Sequence, residues 1–410
     1  PLEDKVLFTT WDSDVVTPDF AVLVKRLRAL PRPPRIVCLA RELRPGVLGY
    51  VRYAFHLVRQ LYHLATAKVV VLDSYSVLVS ALRHRPGLRV VQLWHALGAF
   101  KRFGWSVVDA PEGWSAQSRV PARTLSGLLR MHAGYTDAVV SCQGAIPFFA
   151  EAYGCDPGIL HVGWLPRVDL LRDERVIAAW REQIWRAHPE LAGRKVALYA
   201  PTLRLAGRAS TTPATVRAST AGPLSPVDKV RSAVAHHRGQ RDHPRETPDP
   251  RVSALVDAVA ATDWCLVVKP HPVRGRATAP VFVNQSVQVP DFSALQLLAV
   301  ADAVITDYSA ITYEAYLRGT PVYFYAPDEA EYADARGFYT APADFPARTY
   351  ADPADLARDL VAETYDPAAI QTFIEAAVED SPDRVDPLDL IWPGHEAPKL
   401  NPTHPLPRMS

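Results

Sequence analysis

Ala303-Val304-Ile305-Thr306-Asp307-Tyr308-Ser309-Ala310 opens as a buried β-strand and closes in a tight polar turn. Tyr313, Glu314 and Leu317 then fall at helical spacing. A strand, a turn and a helix N-terminus in that order gather free backbone N–H groups and the positive end of a helix dipole, a site suited to phosphate. Upstream, Cys265-Leu266-Val267-Val268-Lys269-Pro270-His271-Pro272 is a second buried strand. It ends in a cation and an imidazole fixed between two prolines. Two strands of one sheet thus aim charge and hydrogen bonds at one crevice, as a nucleoside-diphosphate donor would require.

The same rhythm runs through the chain. Val6-Leu7-Phe8, Arg35-Ile36-Val37-Cys38-Leu39, Val69-Val70-Val71-Leu72, Arg89-Val90-Val91-Gln92-Leu93 and Ala138-Val139-Val140-Ser141 read as strands. Several are apolar on both faces, as parallel strands covered by helices are. Val196-Ala197-Leu198-Tyr199 and Pro321-Val322-Tyr323-Phe324-Tyr325 extend the pattern around the two strands above. Two βα series predict an α/β chain of two doubly wound, Rossmann-like domains facing a central cleft. The expected division is 1–172 and 173–380, within the helical stretch 170–189. Residues 207–250 are rich in Ser, Thr, Pro and Arg and are expected to form a flexible insertion, possible lid material. Residues 381–410 read as a proline-rich tail without helix or strand, wrapped over the surface or disordered.

A chain of 410 residues with 48% hydrophobic content suits two ordinary domains. Its start at Pro1 rather than Met raises the expectation of residues ahead of it. Cys38, Cys142, Cys155 and Cys265 form neither a C-x-x-C pair nor a zinc spacing, which fits a reducing compartment. No signal-peptide pattern and no apolar run long enough to span a bilayer is visible. The net charge of +1 hides an asymmetry: residues 21–90 hold 13 Lys and Arg against Glu42 and Asp73. These cations lie among apolar residues, in Ala21-Val22-Leu23-Val24-Lys25-Arg26-Leu27-Arg28-Ala29-Leu30 and again between Val51 and Tyr62. Such segments suit an anionic membrane surface or form a solvated helix face. No nucleic-acid motif accompanies them, so nucleic acid is not an expected partner.

His95, in Trp94-His95-Ala96-Leu97-Gly98, falls just past a strand, at the ligand face of an open sheet. It is a candidate proton acceptor for an attacking hydroxyl, with Lys101 and Arg102 beside it to hold an anionic acceptor. His271 is placed to donate to a β-phosphate oxygen, with Lys269 and Arg274 near the diphosphate. Ser309 reads as N-cap and phosphate ligand at once, with Thr306 in the same turn. Asp307 either orients that turn or contacts substrate. Glu314 either accepts from ribose hydroxyls or is a solvated helix carboxylate. Thr202 and Arg204, in Tyr199-Ala200-Pro201-Thr202-Leu203-Arg204, form a phosphate-facing loop or a plain surface turn. Asp12-Ser13-Asp14 matches a metal-binding D-x-D pattern, but with no clustered carboxylates beside it we read a chance match and expect neither metal nor cofactor. P-loop and nucleophile-elbow motifs are missing, against a P-loop NTPase or an α/β-hydrolase.

In chain order, Leu64-Ala65-Thr66-Ala67-Lys68, Gln92-Leu93-Trp94-His95-Ala96-Leu97-Gly98, Gly163-Trp164-Leu165-Pro166-Arg167-Val168-Asp169, the Tyr199 to Arg204 run, Lys269-Pro270-His271-Pro272, Thr306-Asp307-Tyr308-Ser309 and Arg336-Gly337-Phe338-Tyr339 form one set. Together they resemble the CDP-glycerol glycerophosphotransferase family of teichoic acid synthesis, over residues 6–375. The resemblance implies a GT-B-like fold, a CDP-glycerol or CDP-ribitol donor in the C-terminal domain and a lipid-linked polyol-phosphate acceptor on the N-terminal side. It implies glycerol-phosphate transfer with release of CMP, without a metal, at the cytoplasmic face of the cell membrane. His95 matches the family's general base, His271 its second histidine and Ser309 its phosphate-binding serine, while Glu314 stands where an acidic residue is common. Ala96, Ala310 and Leu203 depart from the family's W-H-G, T-D-Y-S-S and Y-A-P-T-W-R. A nucleotide-sugar glycosyltransferase and a non-catalytic membrane-bound scaffold are the remaining alternatives.

Overall fold

A computed structural model of the chain describes residues 2–11, 13–42, 46–110, 122–202, 250–269, 286–289 and 291–394. They form two six-stranded sheets. The first contains β1 (Glu3–Thr10), β2 (Arg35–Ala40), β3 (Ala67–Leu72), β4 (Arg89–Gln92), β5 (Asp137–Val140) and β6 (Leu160–Val162). The second contains β7 (Val196–Tyr199), β8 (Cys265–Val268), β9 (Ser286–Gln288), β10 (Ala303–Thr306), β11 (Val322–Tyr325) and β12 (Thr349–Tyr350). Every pairing is parallel. Helices therefore cover both faces, and central strands such as Val6-Leu7-Phe8 and Val304-Ile305 are sealed from solvent on both sides.

Strand order explains where a ligand site forms. The first sheet runs β2-β1-β3-β4-β5-β6, so its order reverses between β1 and β3. The second runs β12-β11-β10-β7-β8-β9 and reverses between β7 and β10. Loops leaving the carboxyl ends of strands diverge at such a reversal and open a crevice. The two sheets meet through those ends: Tyr339 and Thr340 N–H donate to the Phe100 carbonyl at 2.9 and 3.2 Å.

The C-terminal stretch corrects one expectation. Residues 381–394 are no loose wrap. Pro387–Ile391 is a helix whose Leu388 and Ile391 pack against the first sheet beside β3 and β4. Asp386 caps it, accepting from Leu388 N–H at 2.9 Å, and pairs with Arg26. Proline at the first helical position breaks no hydrogen bond, so a proline-rich reading concealed a helix start. Residues 395–410 and the 207–249 part of the expected insertion lie outside the described residues.

The two basic segments part company. Helix Pro18–Arg28 packs Phe20, Leu23 and Leu27 into the core, with Phe20 edge-on to Phe8 at 5.1 Å, so its apolar face is not available to a membrane. Helix Val47–Thr66 does the reverse. It buries His56 and Gln60, and it exposes Leu48, Val51, Phe55, Val58 and Tyr62. Among the described residues no helix is long and apolar enough to cross a membrane.

Candidate functional site

Strand β4 delivers His95 through a strained turn. Trp94 takes a left-handed φ of 59°, costly for a large side chain. Gln92 holds that turn: its Oε1 accepts from Trp94 N–H at 2.9 Å and its Nε2 donates to the Ser74 carbonyl at 3.1 Å. The His95 ring is exposed and packs on the Trp94 indole, centroids 4.3 Å apart. Its Nδ1 lies 3.2 Å from the Asp73 carbonyl. A carbonyl only accepts, so Nδ1 carries the proton and Nε2 the lone pair of the neutral ring. That is the tautomer a general base on the cleft side needs.

Asp73 follows β3 at the first sheet's reversal point. Its buried carboxylate accepts from Thr17 Oγ1 at 3.2 Å and from Ser74 Oγ at 3.1 Å. Burial raises its pKa to about 6 in spite of these hydroxyls.

Arg167 joins this side to the second sheet. In the first turn of helix Pro166–Arg172, its backbone N–H and Nε donate to Asp19 Oδ1 at 3.0 and 3.2 Å, and Nη2 donates to Oδ2 at 2.7 Å. Nη1 is left to donate to the His95 carbonyl and, at 3.1 Å, to Glu314 Oε1. All three side chains are buried. Burial works against the Arg167 cation, but Asp19 and Glu314 hold its pKa above the ordinary range. Burial pushes Glu314 up, and Arg167 opposes the shift.

The second sheet's reversal point is tied by side chains expected to meet a ligand. Thr202 N–H and Oγ1 donate to Asp307 Oδ1 and Oδ2 at 2.9 and 2.8 Å, and Tyr308 N–H adds a bond to Oδ1 at 2.7 Å. Thr306 is fully buried, its hydroxyl donating to the Ala200 carbonyl at 2.7 Å. The structure thus engages Thr202, Thr306 and Asp307 in holding the β7 and β10 loops together. Asp307 orients its turn, one of the two readings open for it. For Thr202 and Thr306 the phosphate-contact reading is corrected, because their hydroxyls already donate to protein.

Ser309 and Glu314 also depart from expectation. Ala310, in α conformation, occupies the N-cap position, and Ser309 closes the turn with its carbonyl, which accepts from Thr312 N–H at 3.2 Å. Ser309 is half-buried, and its hydroxyl makes no hydrogen bond among the described residues. Glu314 is neither cleft-facing nor solvated. It sits in the core on Arg167, an ion pair across 147 residues of chain that helical spacing cannot reveal.

The backbones of Lys101 and Arg102 pair with the Arg336-Gly337-Phe338-Tyr339 segment. Lys101 bridges Phe338 antiparallel, Arg102 N–H donates to the Gly337 carbonyl at 3.2 Å, and Arg336 Nε donates to the Arg102 carbonyl at 2.9 Å. Their backbones knit the two sheets while the Arg102 side chain stays exposed. Lys269 stands at the end of β8 with Nζ 3.5 Å from the Val289 carbonyl. Arg204, His271, Arg274 and Asp12 lie outside the described residues. Asp14 accepts from Glu42 N–H at 3.0 Å.

Sequence reading missed Asp19, Arg167 and Asp73. Arg167 alone left a trace, inside the Gly163 to Asp169 motif, without a role attached.

Comparison with known proteins fits this arrangement. Residues 2–380 match the family described as CDP-Glycerol:Poly(glycerophosphate) glycerophosphotransferase. The chain is 31% identical over 340 residues to the teichoic acid ribitol-phosphate primase of Bacillus spizizenii, spanning 82% of this chain and 76% of that protein. It is 24% identical to the teichoic acid glycerol-phosphate primase of the same organism, spanning 72% and 65%. A variant of the wall teichoic acid polymerase TagF shares the fold, with a TM-score of 0.64 at 15% identity over 95% of this chain and 86% of that one.

Proposed function

Because this chain belongs to the CDP-glycerol:poly(glycerophosphate) glycerophosphotransferase family, we propose that it moves an alditol phosphate from a CDP-alditol to a hydroxyl of a polyol-phosphate acceptor. CMP is the other product, and teichoic acid or a related surface polymer is the setting. The observation that carries this reading is His95, exposed at the carboxyl end of β4 with its Nδ1 committed to the Asp73 carbonyl. In the proposed step the acceptor oxygen attacks the β-phosphorus as its proton passes to His95 Nε2. The bond from that phosphorus to the bridging oxygen breaks, and CMP departs with the electron pair. Ser309 Oγ donates to the transferring phosphoryl group, and His271 takes the corresponding role on the donor diphosphate. No step is assigned to a metal.

We place CDP-ribitol ahead of CDP-glycerol as donor. The likeness to the ribitol-phosphate primase, 31%, exceeds that to the glycerol-phosphate primase, 24%. CDP-glycerol stays the second reading, since the family description names it.

The exposed stripe of helix Val47–Thr66 supports a peripheral position on the anionic cytoplasmic face of the membrane. The helix runs from β2 to β3, so Val47 lies at the same end of the sheet as His95. A lipid-linked acceptor would then reach the base without leaving the bilayer.

The deciding assay is CMP release from CDP-ribitol and, separately, CDP-glycerol, with a soluble or lipid-linked polyol-phosphate acceptor and EDTA. Acceptor-dependent CMP from one donor is expected. Silence with both would sink the reading in favour of a nucleotide-sugar donor or a binding protein.

A further inference from the structure

We infer that Arg167 is a positioning residue for His95, which sets the proton acceptor in register with the donor side of the cleft. The inference rests on the proposed function, in which His95 is the base.

Three parts of the molecule converge on one guanidinium. Asp19, in the first turn of helix Pro18–Arg28, grips it side-on through Nε and Nη2, one bidentate edge, and so fixes its plane. Nη1 must then point where that plane directs it. There it meets the carbonyl of His95 and the carboxylate of Glu314. Glu314 belongs to helix Ile311–Leu317, which follows directly on the turn that presents Ser309. The loop carrying the base and the helix behind the phosphate turn are therefore held through one side chain.

The His95 segment depends on such an anchor. Its backbone leaves the strand through the left-handed Trp94, a conformation that persists only where surroundings enforce it. Gln92 restrains the residue before His95, the Asp73 carbonyl restrains the ring, and Arg167 restrains the carbonyl after it. Gly98 brings the same loop against the second sheet, where a Cβ would lie 2.3 Å from Tyr313 Cζ. Lysine cannot replace this arrangement. It has one ammonium rather than a planar fork, so it cannot serve Asp19, His95 and Glu314 together.

The second Glu314 oxygen sharpens the assignment. Oε2 is buried without a hydrogen-bond partner, so Arg167 is the only cation bonded to this carboxylate among the described residues. Moving the guanidinium would withdraw its N–H from Glu314 Oε1 and from the His95 carbonyl at once.

The test is Arg167→Lys in the full chain, after wild-type turnover has been measured. A misplacement of the base by about 1 Å should lower kcat about 100-fold. Donor dissociation, followed by calorimetry with the CDP-alditol, should stay at the wild-type value. Long-range 1H–15N spectra of the His95 imidazole, assigned through His95→Gln, should show the Nδ1-protonated tautomer in the wild type and its loss in the variant. An ordinary structural residue would not move that signature selectively. Unchanged His95 signals, an unchanged kcat, or a loss of donor affinity matching the loss of kcat would each overturn the inference. If Arg167→Lys fails to fold, Glu314→Gln takes its place. It keeps size and an acceptor oxygen but removes the charge, and should change the same signals with a fall in kcat of about tenfold. A silent wild type would defeat the functional reading alone, and the imidazole signals would still decide whether Arg167 positions His95.

Discussion

Thr202 and Asp307 close the second sheet's reversal point, backbone N–H and hydroxyl of one meeting both carboxylate oxygens of the other at 2.9 and 2.8 Å. The pair joins the loops after β7 and β10, which the sheet topology alone would let diverge. Asp307→Ala strands the N–H groups of Thr202 and Tyr308 and the Thr202 hydroxyl, and should destabilise the protein by about 3 kcal/mol. Urea unfolding measures the loss. Thr202→Val removes one bond and should cost about half as much. Equal stability in all three proteins would show that the loops are held by something else.

Gly98 has no room for a side chain. A methyl there would sit 2.3 Å from Cζ and 2.4 Å from Cε1 of Tyr313, on the opposite sheet's helix. Gly98→Ala should destabilise by about 2 kcal/mol through overpacking. It should also depress kcat, since the displaced loop carries His95. Shortening the opposing ring, in Gly98→Ala with Tyr313→Leu, should restore part of both. Failure of that second change to restore either would mean the clash is relieved elsewhere.

His95→Ala removes the proposed proton acceptor while leaving Asp73, Arg167 and the second sheet intact. CMP release should fall by about 10²- to 10⁴-fold, the range for loss of a general base, with donor affinity preserved. Near-normal turnover in this variant would remove His95 from the chemistry.

Two buried groups give stability opposite pH dependences. Asp73 has its pKa raised by burial to about 6, so the folded state favours its protonated form. Its contribution is fully present below the unfolded value near 3.9 and is lost as pH rises through 6, about 3 kcal/mol across that window. Asp73→Asn should therefore equal the wild type near pH 4 and exceed it at pH 7. His132, buried against Tyr135 and Tyr153, has its pKa lowered to about 3 by burial. Its contribution is present above 6.5 and is lost as pH falls toward 3. His132→Asn suits the left-handed backbone at that position and should flatten the acid limb of the stability curve. Denaturant midpoints between pH 3 and 8 test both, and parallel wild-type and variant curves would refute the assignments.

What was legible in the sequence follows burial. Central strands such as β1, β4 and β10 are apolar on both faces and announce themselves as short hydrophobic runs. β6, β9 and β12 went unread because they are edge strands of two or three residues with little apolar signal. The position of His95 was readable because a residue a short way past a buried strand falls at the ligand end of a parallel sheet. Arg167 and Asp19 were not, since their pairing spans 148 residues and leaves no local pattern. Glu314 was misread for the same reason: helical periodicity gives a residue's face, and only tertiary structure supplies the partner that lets a carboxylate be buried. For Thr202, Thr306 and Asp307, local sequence cannot tell a polar group that holds a loop from one that holds a phosphate.

Helix Val47–Thr66 offers the last prediction. Leu48, Val51, Phe55, Val58 and Tyr62 recur at intervals of three and four residues, so they fall on one side of the helix. Phe55, 69% exposed, and Val58, 65% exposed, would normally be buried. Arg52 and Arg59 are exposed on the same helix, one beside each of the stripe's central residues. Inserting Phe55 into lipid should contribute about 2 kcal/mol, and each arginine near anionic headgroups about 1 kcal/mol. Phe55→Glu with Val51→Glu should then abolish sedimentation with vesicles containing phosphatidylglycerol. Turnover on a soluble acceptor should be unaffected, because this face lies opposite the buried His56 and Gln60 that pack toward the sheet. Binding by the wild type should weaken as salt is raised. If the doubly substituted protein still sediments with those vesicles, the stripe is not the membrane contact, and a salt-insensitive change of mass in solution would assign it to a second copy of the chain instead.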